Sequence, residues 1–114
     1  MIISIIKIFP AAGREGVVLD VLDSLKGPVS AQAGSLGCSV SVEVGEGEAI
    51  CYTERWSSRA ALDRHLNTPL YMRLLEVMEC SCRPPEVEFF EVADAVGIEL
   101  VEQIRNHKNH KGEK

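Results

Sequence analysis

With 114 residues, 46% apolar and 25% charged, the chain has the size and balance of one domain that buries its own core, which excludes disordered and fibrous classes. The formal net charge is −5, and since the last nine residues, NHKNHKGEK, hold three lysines against one glutamate, residues 1–105 carry −7. That sign argues against a nucleic-acid partner, whose phosphates are held by a cationic face.

The opening MIISIIKIFP alternates like a strand and is broken by Ser4 and Lys7. It is therefore read as the first strand, ended by Pro10, and not as a signal peptide. No run is long and uncharged enough for a membrane span, so a cytoplasmic protein without a membrane partner is expected. Next, Val17, Val18, Val21, Leu22 and Leu25 fall on one helical stripe, and the pair Gly27-Pro28 is expected to end that helix. The stretch VSAQAGSLG reads as a connection of small residues.

From Gly37 the pattern changes to period two. Cys38, Val40, Val42 and Val44 point one way, while Ser39, Ser41 and Glu43 point the other. Gly45-Glu46-Gly47-Glu48 supplies a turn into the strand AICYTERW. A two-residue turn sets Val42 opposite Cys51, Val40 opposite Thr53 and Ser41 opposite Tyr52. One face then holds the valines, and the other holds Ser39 and Ser41 with Ile50, Tyr52, Glu54 and Trp56. Ser57 or Ser58 caps a short helix with Leu62, His65 and Leu66 on one side. Thr68-Pro69 starts another helix, with Tyr71, Leu74, Leu75, Met78 and Cys82 as its apolar stripe. Pro84-Pro85 stops it, and EVEFFEVA is a fourth strand on which Phe90 faces away from Val87 and Phe89.

Asp94 is a candidate cap for a last helix, over 96–105, on which Gly97, Leu100, Val101 and Ile104 share a face. One domain, residues 1–105, is therefore expected, with a flexible basic tail over 106–114. The order of elements predicts an α+β fold, a ferredoxin-like βαββαβ antiparallel sheet with an extra C-terminal helix. Apolar side chains on both faces of that sheet call for a second copy packed against it.

Four cysteines in a chain read as cytoplasmic are expected to be reduced. Cys80 and Cys82, placed in the last turn of a helix, point about 200° apart at 3.6 residues per turn, so no metal site is expected from them. His107 and His110 have metal-compatible spacing but sit in the basic tail, where solvated side chains are the ordinary case. The chemistry converges elsewhere. Tyr52, Glu54 and Trp56 share one side of a strand that leads into the helix bearing His65. An imidazole titrates near neutrality and serves as a general base. Tyr52 and Trp56 offer flat faces to a planar ligand, and Glu54, if buried, needs Arg64, Arg73 or His65 as partner. Tyr71 and Met72 are expected to close the pocket. The plain structural alternative is a Glu54–His65 hydrogen bond with Trp56 and Tyr71 as core.

Gly37-Cys38, Glu54-x-Trp56 followed by Ser58, Ala61-Leu62 and His65, then Thr68-Pro69-Leu70-Tyr71 and Pro84-Pro85, taken in order over residues 2–93, resemble the antibiotic biosynthesis monooxygenase family. The resemblance implies a dimeric α/β barrel, two ferredoxin-like protomers facing each other through their sheets. It implies a cofactor-independent monooxygenase oxidising a hydroxylated aromatic or quinol with dioxygen, with His65 catalytic and Tyr52, Glu54, Trp56, Tyr71 and Met72 binding substrate. Other members are haem-degrading enzymes and an isomerase of signalling-molecule phosphates. The haem branch needs an asparagine on the first strand and an axial histidine on the second short helix. Isoleucine and serine stand at the first position here, and Leu75 and its neighbours at the second, so no haem is implied. The alternative is a non-catalytic dimeric module that binds a small ligand or serves a stress response.

Overall fold

In the computed structural model, which describes residues 1–45 and 47–112 and the side chains outside 107–112, the chain forms β1 (Ile2–Ile8), α1 (Glu15–Ser30), β2 (Ser35–Val42), β3 (Ile50–Trp56), α2 (Arg59–Leu66), α3 (Pro69–Met78), β4 (Glu86–Glu91) and α4 (Ile98–Gly112). The sheet is antiparallel throughout, in the order β2-β3-β1-β4. This is the expected ferredoxin-like arrangement, with β1 and β3 central. Alternation along β1 sends Ile2, Ser4, Ile6 and Ile8 inward, all buried. The helices α1 to α3 cover that face, and their buried residues Val18, Leu22, Leu25, Val29, Leu74 and Val77 complete the core.

Gly27-Pro28 does not end α1, which runs on to Ser30. The stripe Val18, Leu22, Leu25 and Val29 continues past the proline, and Val29 is fully buried. Near the C-terminus a proline removes one ladder hydrogen bond. Burying a valine contributes about 1.5–3 kcal/mol, so the tertiary contact overrides the local stop.

The hairpin register also differs from the expectation, by one residue. Val42 faces Ile50, Val40 faces Tyr52, Ser41 faces Cys51 and Cys38 faces Glu54. A one-residue slip exchanges the faces of a strand. Here it turns Cys38 and Val40 onto the core, where both are partly buried, and Ser39 and Ser41 to the open side. The seven residues between the strands close through the Glu43 N–H, which donates to the Ala49 carbonyl at 2.8 Å. The open face is consequently mixed: Ile3, Ile5, Cys51 and Thr53 are half-buried, with Lys7 bonded to Glu43 at 2.8 Å and Phe90 on β4.

Cys80 and Cys82 lie beyond α3, whose C-cap is Glu79. The segment they flank pairs with the end of the first strand: the Cys82 N–H donates to the Phe9 carbonyl at 2.7 Å and the Ala11 N–H to the Cys80 carbonyl at 3.1 Å. Cys82 and Leu75 are exposed, and Val77 takes the core position instead. All four cysteines are free thiols. Asp94 caps its own neighbour, accepting the Ala95 N–H at 2.9 Å, and the helix begins four residues later. Val96, Ile98, Leu100, Val101 and Ile104 are all exposed.

Gly34 is the tightest point of the fold. Its φ of +85° favours glycine, its carbonyl accepts the Ser57 N–H at 2.8 Å, and an added Cβ would collide with that of Ala61 on α2. Gly16, inside α1, has open space around it. Gly34→Ala should therefore lower stability by about 1–3 kcal/mol, whereas Gly16→Ala should leave it unchanged or raise it by up to about 1 kcal/mol. Urea unfolding of both variants checks the opposite signs.

Candidate functional site

Period two brings Tyr52, Glu54 and Trp56 inward on β3, and all three are 0% exposed. Two residues later Ser58, in extended conformation, caps α2 by accepting the Ala61 N–H at 3.2 Å. The helix turns Ala61, Leu62 and His65 to the core. Thr68 then caps α3, accepting the Tyr71 N–H at 3.3 Å and donating its hydroxyl to the His65 carbonyl at 2.7 Å. These two caps place His65 and Tyr71 over the end of β3.

The partner of Glu54 is His65. Its Oε2 lies 2.8 Å from His65 Nε2, and its Oε1 accepts the Trp56 Nε1–H at 3.1 Å. The Trp56 and His65 rings stack with centroids 4.6 Å apart and 29° between planes. Tyr71 meets the imidazole by its edge at 5.4 Å and 78°. A carboxylate this deep persists only when hydrogen-bonded, and both its oxygens are engaged. Tyr52, Glu54, Trp56, His65 and Tyr71 are thus brought together, while Met72, 57% exposed, is not.

Two residues of the cluster escaped the sequence reading. Gln32, in the connection after α1, brings its Oε1 to 2.7 Å from His65 Nδ1. Its one signal in the sequence is that it alone among Ala31, Ala33 and Gly34 has hydrogen-bonding reach. Ser4, the cross-strand neighbour of Glu54, stands where the alternation of isoleucines calls for an apolar side chain. Ser4 Oγ and Tyr52 OH are buried, and neither has a hydrogen-bond partner among the described residues. The Tyr52 hydroxyl lies beside Glu54 and Cys38 without reaching either in good geometry.

An open cleft of about 270 Å³ lies between α2 and the β1–β4 side of the sheet. It is lined by Leu62, Leu66, Phe89 and Phe90, with Arg59 and Glu91, and by none of the clustered residues. No group of three or more metal-ligating side chains occurs among the described residues. His107 and His110 lie outside the residues whose side chains are described.

Burial, reinforced by the negative charge of Glu54, pushes both phenols above their ordinary value of 10.0, Tyr52 far above it. The fold favours the neutral phenols. Their contribution to stability is complete below the unfolded value and is lost as the pH rises above it. Tyr52 and Tyr71 are the only tyrosines. The folded protein should therefore show no phenolate absorbance step near pH 10, and the step should appear together with alkaline unfolding seen by circular dichroism. Glu54→Ala should cost about 3–5 kcal/mol in chemical unfolding, since it strands a buried imidazole and an indole N–H.

The family model for antibiotic biosynthesis monooxygenases matches residues 1–76. No functionally curated protein matches the chain. Among solved structures, Rv0793 of Mycobacterium tuberculosis superposes with a TM-score of 0.76 at 25% identity, over 84% of this chain and 98% of that one. A Deinococcus radiodurans protein named for a presumed antibiotic biosynthesis monooxygenase activity has the same TM-score at 19% identity, over 86% and 98%. PA3566 of Pseudomonas aeruginosa reaches 0.69 at 24% identity, over 82% and 94%. At such identities the last two share the fold. Matched by the family model over most of its length, the chain belongs to the antibiotic biosynthesis monooxygenase family.

Proposed function

We propose that the chain binds a small hydroxylated aromatic molecule or quinol and oxidises it with dioxygen without a cofactor, as a homodimer paired through the open sheet face. The observation that carries this reading is the buried Glu54–His65 pair at 2.8 Å, flanked by two interior hydroxyls, Ser4 Oγ and Tyr52 OH, that have no partner among the described residues. Buried polar atoms without partners are rare and call for a functional account. Here they are two groups able to bond a ligand oxygen next to a carboxylate-held imidazole. His65 takes the phenolic proton, and the phenolate supplies the electron pair that reduces dioxygen. One oxygen atom stays on the ring carbon opposite the phenol and the other leaves as water, so a phenol and dioxygen give a quinone and water. The protein contributes deprotonation, orientation and exclusion of water.

For Trp56 this reading replaces the expected stacking on substrate. One face of the indole is already covered by His65, so the indole serves as a backing for the imidazole. Tyr71 edges the same ring. Met72 has no part in it.

A second reading, ligand binding without turnover, is favoured by a different observation. Both nitrogens of His65 are engaged, and the open cleft beside Phe89 and Phe90 reaches none of the clustered residues. Oxygen uptake with a panel of hydroxynaphthalenes and hydroquinones separates the two. The oxygenase reading expects consumption that falls about 100-fold or more in His65→Gln. Binding without consumption supports the second reading, and a His65→Gln variant as fast as the parent removes His65 from the chemistry.

The proposed dimer is supported by Ile3 and Ile5, half-buried on the open face, which water covers poorly. Light scattering should give about twice the 12.5 kDa of one chain, and Ile5→Lys should shift the mass to that of one chain.

A further inference from the structure

We propose that Gln32 is a positioning residue that sets, by turning its side-chain amide over, whether His65 presents a proton or a lone pair at Nδ1. The inference rests on the reading of His65 as the group that exchanges a proton with substrate. The two ring nitrogens are held differently. Nε2 faces Glu54, which lies on a central strand, is 0% exposed and also accepts the indole N–H of Trp56. An ionised carboxylate only accepts, so Nε2 keeps its hydrogen. Nδ1 is the nitrogen whose state is open.

Nδ1 faces the Oε1 of Gln32 at 2.7 Å. In that orientation the amide accepts, Nδ1 carries a hydrogen, and the ring is an imidazolium with no lone pair for a substrate proton. Turned by 180°, the amide presents its NH₂. Nδ1 then accepts, the ring is neutral, and one proton has left it. The two orientations have nearly the same shape, so either fits the same packing, and among the described residues the side-chain amide has no hydrogen-bond partner other than His65 to hold it in one of them. The other groups around the imidazole do not compete for Nδ1. Trp56 covers a face and Tyr71 meets it edge-on. Tyr52 lies beside Glu54, and Asp63 and Arg64 on α2 itself are exposed.

The connection that carries Gln32 is latched so as to hold this contact. The Gln32 carbonyl accepts the Ser35 N–H at 3.1 Å, and the Gly34 carbonyl accepts the Ser57 N–H at the start of α2. Gln32 approaches from the β2 side of the sheet, whereas the open cleft lies on the β1–β4 side.

Long-range nitrogen–proton correlation spectra of the full chain, with its three histidines labelled with nitrogen-15, test this at one pH near neutrality and without ligand. His65 is assigned by the signal lost in His65→Gln. In Gln32→Glu, an acceptor only, both His65 nitrogens should show the imidazolium pattern. In Gln32→Met, which has no hydrogen-bonding group at that end, Nδ1 should move to the unprotonated pattern while Nε2 stays protonated. The indole N–H signal of Trp56 reports whether each variant is folded, and either folded variant alone decides the matter. A neutral His65 ring in folded Gln32→Glu, or a protonated Nδ1 in folded Gln32→Met, overturns the proposal. Because no ligand or turnover is involved, failure of the oxygen-uptake assay would count against the oxygenase reading and leave this result standing.

Discussion

The hydrogen bond between Glu54 and His65 is the constraint on which the arrangement depends. A carboxylate on the central strand of a small domain, shut off from water, is tolerable only if its oxygens are occupied. Its two partners come from its own strand and from the helix that follows, so satisfying it fixes how β3 leads into α2. Ser58 and Thr68, capping successive helices, set the two turns that make the fit. Gly34 then lets the connection after α1 close over the same corner, bringing Gln32 to the remaining nitrogen of the imidazole. The result is one polar cluster inside an otherwise apolar core, drawing on β1, β3, α2 and α3 and on the connection after α1.

That cluster is closed, while the open cleft beside Phe89 and Phe90 is elsewhere. In a packed interior, a ring with both nitrogens bonded, one aromatic neighbour stacked on it and another edge-on is an effective structural tie. Two features set it apart from such a tie: the unpartnered hydroxyls of Ser4 and Tyr52 beside the carboxylate, and the amide of Gln32, whose two orientations leave the ring in different protonation states. In the oxygenase reading proposed above, proton removal is the step the protein must provide, since the electrons come from the substrate.

Much of this was legible in the chain. Alternation alone puts Tyr52, Glu54 and Trp56 on one side, and Thr68-Pro69 announces the restart that carries Tyr71. For Glu54 the sequence left Arg64, Arg73 and His65 open as partners, and the structure selects His65. What was not legible depended on contacts between distant segments. The Gly-rich connection between β2 and β3 does not specify a single length, and one residue of slip decided which face the valines occupy; burial of Val40 and Cys38 chose it. Gly27-Pro28 is a strong local stop, overridden because Val29 has a place in the core. Met72 is next to Tyr71 in sequence but 100° away around the helix, and only Tyr71 reaches the cluster. Gln32 and Ser4 carry no pattern of their own, because their roles arise from what folds against them.

Trp56 is the only tryptophan, and its indole N–H is bonded to Glu54, so one nuclear magnetic resonance signal reports on the centre of the cluster. Titration of the full chain with a dihydroxynaphthalene, followed at that signal and at the leucines and phenylalanines of the open cleft, tests most directly whether the cluster is a working site. The account predicts that the indole signal shifts with saturation, together with those of His65. Shifts confined to Leu62, Leu66, Phe89 and Phe90, with the indole signal unmoved, would contradict it.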